Sequence, residues 1–380
     1  MRQKAVFKMT MLAIAVMMVL AGCGSNNGAG NGANSGGNGA SNNQAGASNG
    51  TDVSGGEKEA SKGEGVVNVF TARHYDIDFQ LFDEFEKKTG IQVNEIKGTA
   101  EELVERMKRE GESSEADLFI TVDGGVLNYA KESGVLQPIE SETVNDIVAP
   151  ELRDADNHWV AMASRARIIA YAKDRVTPDQ LSTYEDLADP KWKGKVLIRS
   201  SSNLYNQSLV ASMIELNGEE AAAKWTEGIV ANMARDPEGG DRDQAKAVVA
   251  GIGDVAVMNT YYVGQLLHSK DAEEVKVGES IGIFFPNQDT TGTHLNISGI
   301  GLAKHAKNKE NAIRLIEYMV SKEAQEMLIN GSFEFPVNKD AELPAIHKEW
   351  GEFKSQQIDY SVLGKNNKAA TELMNKAGWK

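Results

Sequence analysis

From Val66 onward, short apolar runs alternate with helical patterns, and this alternation restricts the fold more than any other feature. "VVNVFTA" reads as a strand. "DIDFQLFDEFEKKTG" follows as a helix, with Phe79, Phe82 and Phe85 on one side and Thr89-Gly90 at its end. "IQVNEIKG" is a second strand, "AEELVERMKREG" a helix ending at Gly111, and "ADLFITV" a third strand with a helix after Asp123-Gly124. A β-α-β-α order predicts an α/β fold with a largely parallel sheet and helices on both faces.

Residues 66–380 exceed a typical single domain, so two lobes are expected. "HWVAMASRARIIAYAKD" (158–174) is longer than an average strand and lacks helical periodicity. It reads as a crossover from the first lobe to the second. The second lobe then runs through "KVLIRSS", helices near 205–216, 221–233 and 242–250, and the strand "DVAVMN". "SIGIFFPNQDTTGTHLNISGIGLAK" (280–304) reads as the return crossover. The segments are thus 66–163 and 290–335 for the first lobe and 164–289 for the second, with 336–380 packing back on the second. Two crossings make a hinged clamshell with a cleft.

The first 65 residues belong to neither lobe. Arg2, Lys4 and Lys8 precede an apolar run from Met9 to Leu20, too short for a spanning helix and suited to a signal peptide over residues 1–22. The run ends in Leu20-Ala21-Gly22-Cys23, which resembles the lipobox of bacterial lipoproteins. That resemblance implies that Cys23 is lipidated and anchors the mature protein at an extracytoplasmic membrane face. Cys23 is also the only cysteine, which excludes an intrachain disulfide or a cysteine metal site. The Gly, Asn and Ser tract up to residue 65 offers almost nothing to bury and is expected to act as a disordered tether of some tens of Å, at ~5–6 Å × √n. The formal charge of −15 becomes −18 once the three basic leader residues are lost. Such acidity argues against nucleic-acid binding, and the expected state is a monomer.

In open α/β sheets, ligands bind beyond the carboxyl ends of the strands. "VFTARHYDID" places His74 and Tyr75 just after the first strand. "LIRSSSNLYNQ" places Tyr205 at the end of a loop or in the first turn of a helix. "AVMNTYYVG" places Tyr261 and Tyr262 after a late strand, which should end by Asn259 or Thr260. The first segment belongs to one lobe and the others to the second. One imidazole and four phenols suit a hard, highly charged cation, which stabilises phenolate and releases its proton. Each piece also has a packing explanation: His-Tyr as a capping pair, Tyr205 as a staple for its loop, Tyr-Tyr as cross-layer filler. His268, His294, His305 and His347 lack metal-like spacing and are expected at the surface. "GGDRDQAK" reads as a helix start with Asp241 or Asp243 as its cap. No nucleophile elbow, phosphate loop or zinc-protease motif is present, so no enzyme is expected.

"TARHYDID", "ADLFITVDGG", "RARIIAYAK", "RSSSNLYNQS", "GGDRDQ" and "NTYYVGQ", in this order, resemble the ferric-iron-binding proteins of bacterial ABC importers, the bacterial transferrins. The likeness runs from Val66 to the end of the chain and is nearest to the tyrosine-rich, five-coordinate branch. It implies the two-lobed periplasmic-binding-protein fold of type II. It also implies capture of iron, Fe3+ first and Fe2+ as the second candidate, and delivery to an ABC transporter permease. It makes His74, Tyr75, Tyr205, Tyr261 and Tyr262 the ligands. Arg165 foremost, with Arg167 and Arg73, would offset the phenolate charge. Another branch uses a carboxylate after the third strand; here Asp123 is the only acid nearby, and it is not assigned as a ligand. The competing readings are a small-anion (sulfate, phosphonate or carboxylate) ABC transporter binding protein and a metal-dependent enzyme.

Overall fold

The structure is a computed structural model that describes residues 65–380. The leader, Cys23 and the tether lie outside the described residues, and so do the expectations that fall on them.

The first lobe opens with β1 (Val66–Thr71), α1 (Asp76–Thr89), β2 (Gln92–Lys97), α2 (Ala100–Glu110), β3 (Leu118–Thr121), α3 (Gly124–Glu132), β4 (Leu136–Gln137) and α4 (Glu142–Ile147). α1 ends where expected, because Gly90 takes the left-handed conformation (φ 73°) that a helix C-terminus favours. α2 starts on a reciprocal cap between Thr99 and Glu102. Phe82 and Phe85 are buried, but Phe79 is exposed with the Lys97 ammonium 3.8 Å above its ring. The apolar stripe of α1 instead runs through Ile77, Leu81, Phe82 and Phe85, leaving Phe79 at its rim.

β5 (Trp159–Ala172) then crosses to the second lobe, which holds β6 (Val196–Leu197), α5 (Leu204–Asn217), α6 (Glu219–Asn232), α7 (Asp241–Val249), β7 (Val255–Asn259), α8 (Thr260–Leu267), α9 (Ala272–Ser280) and β8 (Ile281–Phe284). β9 (Leu295–Ala303) returns to the first lobe, followed by α10 (Lys309–Val320) and α11 (Lys322–Ser332). The chain finishes with α12 (Ala345–Trp350), α13 (Ser361–Lys365) and α14 (Asn367–Ala377). α14 packs on α5 and α6, whereas α13 touches both α3 and α5. Among the described residues no helix is long and apolar enough to cross a membrane.

The strand order is β2-β1-β3-β9-β5-β7-β6, with β4 added to β9 and β8 to β5. β5 is shared: its first half pairs with β9, Trp159 opposite Gly301 through Ala166 opposite Leu295. Its second half pairs with β7, Arg167 opposite Asn259 through Tyr171 opposite Val255. Covered on both faces, β5 is buried along almost its whole length, which explains its unbroken apolar pattern. The sheet is mixed, contrary to the largely parallel expectation. β1 pairs parallel with β2 and β3, and β6 with β7, but every pairing of β5 and β9 is antiparallel. Strands that carry the chain between lobes run against the units they join, and local periodicity does not encode that direction.

The β5–β9 junction is tight at Gly299, where a Cβ would come within 2.8 Å of the Val160 carbonyl oxygen and 2.5 Å of Leu127 Cδ1. Gly299→Ala is expected to destabilise the fold by about 1–3 kcal/mol through overpacking. The check is the urea unfolding midpoint, which should fall while far-ultraviolet circular dichroism stays native.

Candidate metal centre

Four tyrosines meet at the seam between the lobes, and each sits at the start of a helix. Tyr75 is the N-cap of α1, Tyr205 the second residue of α5, and Tyr261 and Tyr262 the second and third of α8. β7 ends at Asn259 with extended geometry and α8 begins at Thr260, so two adjacent side chains that a strand would send to opposite faces share one turn. Their rings lie 4.1 Å apart, centroid to centroid. Tyr75, from the first lobe, has its ring 6.1 Å from that of Tyr261, from the second. The Tyr205 and Tyr261 hydroxyls are 3.4 Å apart. Tyr261 is buried and the other three are partly buried. His74 stands next to Tyr75 but is exposed, and among the described residues no hydrogen bond holds its ring.

Beneath the phenols lies a buried ionic network. Arg73 Nε bonds both carboxylate oxygens of Asp78 (3.0 and 2.9 Å), and its Nη1 bonds Glu334 (2.6 Å) and Ser298 (2.7 Å). Arg165 Nη1 bonds the same Ser298 hydroxyl (2.8 Å) and Glu334 (3.2 Å), and its Nη2 donates to the Val122 carbonyl. Arg167 bonds Asp241 (2.7 Å), Asn206 (2.8 Å) and Asn259 (3.2 Å). Arg165 and Arg167 are two apart on β5 and therefore project from one face, 5.2 and 5.9 Å from the Tyr205 ring. Arg73 lies 4.1 Å from the Tyr75 ring. Each of the three guanidiniums is also matched by a buried carboxylate, so the positive charge that sequence reasoning set against the phenolates is shared with Asp78, Glu334 and Asp241. Arg199, which that reasoning passed over, also faces this region, 3.7 Å from Asp241 and partly exposed.

The surroundings hold Tyr75, Tyr261 and Tyr262 neutral. Burial pushes Tyr75 well above the ordinary phenol value, with Glu334 and Tyr205 adding to it and Arg73 and Arg165 opposing. Burial likewise raises Tyr261, reinforced by Tyr205, Tyr75 and Tyr262. Tyr262 is raised by burial and by Asp241, against a smaller pull from Arg199. The three helix N-termini act the other way and favour any negative charge that forms there. The site is therefore a set of oxygen donors that would ionise only if a cation supplied the compensating charge.

Sequence reasoning missed Glu334 and Asn296 and read Asp241 only as a cap. Glu334 follows Phe333, a non-glycine in the left-handed region (φ 63°), and no local pattern marks such a turn. Gly240, not Asp241 or Asp243, precedes the first residue of α7. Asp243 bonds the Gly240 N–H, which frees Asp241 to accept from Asn259 N (2.8 Å) and Arg167. Two histidines expected at the surface are buried. His294 bonds Gln356 and is lowered to about 4 by burial, and His347 Nε2 donates to the Phe333 and Glu334 carbonyls. Elsewhere, Asp154, Asp156 and His158 cluster like metal ligands, but the Lys131 ammonium bonds both aspartates at 2.8 and 2.7 Å and fills the cation's place.

Two lobes sharing their longest strand, with a polar donor-lined seam between them, are the build of a protein that binds a small solute by closing over it. The chain belongs to the bacterial extracellular solute-binding proteins, whose family profile matches residues 113–360. Iron uptake protein A1 of Synechocystis sp. is 47% identical over 314 residues, 83% of this chain and 87% of its own length. The Trichodesmium protein in complex with iron and citrate has a TM-score of 0.79 at 50% identity, covering 83% of this chain and 100% of its own. The ferric binding protein from Campylobacter jejuni has a TM-score of 0.78 at 43% identity, with 83% and 100% covered. The fold is accordingly the two-lobed type II arrangement.

Asp241 ties the end of β7 to Arg167. Asp241→Ala would leave Arg167 buried without its carboxylate and cost about 3–5 kcal/mol. Chemical denaturation of wild type and variant should show this loss, and an unchanged midpoint would contradict the assigned pairing.

Proposed function

We propose that this protein captures ferric iron in its interlobe seam and hands it to an ABC transporter permease. The observation that carries the reading is the convergence of Tyr75 from the first lobe with Tyr205, Tyr261 and Tyr262 from the second, all at helix N-termini. The ligand set is these four phenolates with His74, which lies exposed on the loop that holds Tyr75 and has to turn in when the metal binds. Zinc and calcium sites draw on other donors, and phenolate oxygen suits a hard trivalent ion. Relatives named for iron uptake and ferric-iron binding support the same cargo. A small-anion reading is weaker: the relative named as a putative 2-aminoethylphosphonate-binding protein is 24% identical over 265 residues. The protein acts as a binding protein and not as an enzyme. Membership of the bacterial extracellular solute-binding proteins supports that reading.

Capture works by completing a coordination sphere. Neither lobe alone supplies the whole set, so the ion favours the closed state by its differential affinity. Because burial holds Tyr75, Tyr261 and Tyr262 neutral, binding must expel their protons, and acid competes with the metal. Adding ferric citrate to the metal-stripped protein is expected to develop a red-orange ferric–phenolate band at one iron per chain. The affinity should fall as pH drops. Tyr261→Phe and Tyr262→Phe should fold normally, bind more weakly and shift or bleach the band. Wild-type affinity with an unchanged spectrum in both would sink the ligand assignment.

The family acts outside the cytoplasm, and the lipobox-like Cys23 with its long polar tract supports a monomer leashed to the membrane surface. Cys23→Ala is expected to release the protein or leave its precursor unprocessed. A mature form that still partitions into detergent would count against the anchor.

A further inference from the structure

Asp123 ends the loop after β3 in the first lobe and caps α3, its Oδ1 accepting the Val126 N–H at 3.1 Å. Its Oδ2 accepts the Ser208 hydroxyl at 2.5 Å and Asn296 Nδ2 at 2.6 Å. The Asn296 amide is itself oriented, since its Oδ1 accepts the Gly124 N–H at 3.2 Å. Asn296 lies on β9 opposite Arg165 of β5, where the chain passes between lobes. Ser208 lies on α5 in the second lobe, so the Asp123–Ser208 bond spans the seam. Asp123, Ser208 and Asn296 are only 1, 1 and 3% exposed. Beside this bond the seam opens into a cavity of about 430 Å³, lined by Glu101 and Tyr129 on one side and Leu204 and Gln207 on the other. At this edge the buried polar bond joins the lobes beside α13, which packs on both α3 and α5.

We propose that Asp123 and Ser208 form an interlobe latch that reports and holds closure. Tyr205 and Ser208 are three residues apart on α5 and share a face. One movement of α5 therefore delivers a phenol to the metal centre and a hydroxyl to the waiting carboxylate. Asp123 spends both oxygens on donors, so it positions α5 rather than coordinating the ion. A carboxylate acceptor makes the bond stronger than a neutral pair. Breaking it only in the closed state shifts the open–closed equilibrium by on the order of tenfold or more. The metal drives closure under the capture reading, and the latch rests on that reading for its driving force alone.

The test compares wild type, Ser208→Ala and Asp123→Asn. Alanine suits a helix interior and asparagine suits an N-cap, so both variants keep the local structure. Iron release to excess chelator is followed as decay of the ferric band. Both variants should release about tenfold faster or more, with the band maximum unmoved. Wild-type release rates in both would overturn the latch. So would a shifted band in Asp123→Asn beside a wild-type Ser208→Ala, because that would put Asp123 on the metal. If the wild type develops no ferric band, the capture reading fails and metal-free small-angle scattering decides the latch. Ser208→Ala should then have the larger radius of gyration, and an unchanged one overturns it.

Discussion

Glu334 holds the centre of this molecule together. Its carboxylate receives Arg73 from the end of β1 and Arg165 from β5, and both guanidiniums share the Ser298 hydroxyl of β9. His347 donates to its backbone carbonyl from α12. Three other stretches of chain are thereby referred to one side chain, and a fourth to its backbone. A buried ionic cluster of this kind need not add net stability, because desolvation consumes much of the Coulomb gain. Losing one partner is costly, however, since the remaining charges stay buried and unpaired. The cluster therefore fixes geometry: the loop that presents His74 and Tyr75 and the strand that crosses the lobes cannot move independently of it.

That constraint explains why Tyr75 stands over the Arg73 guanidinium yet remains neutral. Asp78, Glu334 and Asp241 cancel Arg73, Arg165 and Arg167 in place. The arginines orient the rings and fill the space beneath them, while burial sets the protonation state. Under the proposed capture of iron, a cation arriving at the seam would supply the missing charge, and the helix N-termini would favour the resulting anions. The donors are cheap to maintain without metal, because neutral phenols carry no large desolvation penalty.

Much of the site was legible because tyrosine is informative where a strand gives way to a helix. Tyr75, Tyr205 and the Tyr261-Tyr262 pair all occupy such junctions, and the break after Asn259 follows from a four-residue apolar run giving way to Asn259-Thr260 and two phenols. The partners that immobilise the site were not legible. Glu334 comes after a helix and a left-handed Phe333, and Asn296 opens a strand with no mark of its role. Asp241 resembles any N-terminal acid of a helix. Each works through a residue at least eighteen positions away, which no local window contains.

The sequence by itself determined the alternation of strands and helices, the long shared strand and the junctions that carry the tyrosines. Those depend on periodicity and on short-range turn chemistry, which operate over a few residues. Tertiary structure alone decided the antiparallel passage of β5 and β9, the pairing of each buried arginine, the burial of His294 and His347, and the bond from Asp123 to Ser208. These depend on which distant segments come to share a low-dielectric interior. There a charge or polar atom must find its complement, wherever in the chain that complement lies.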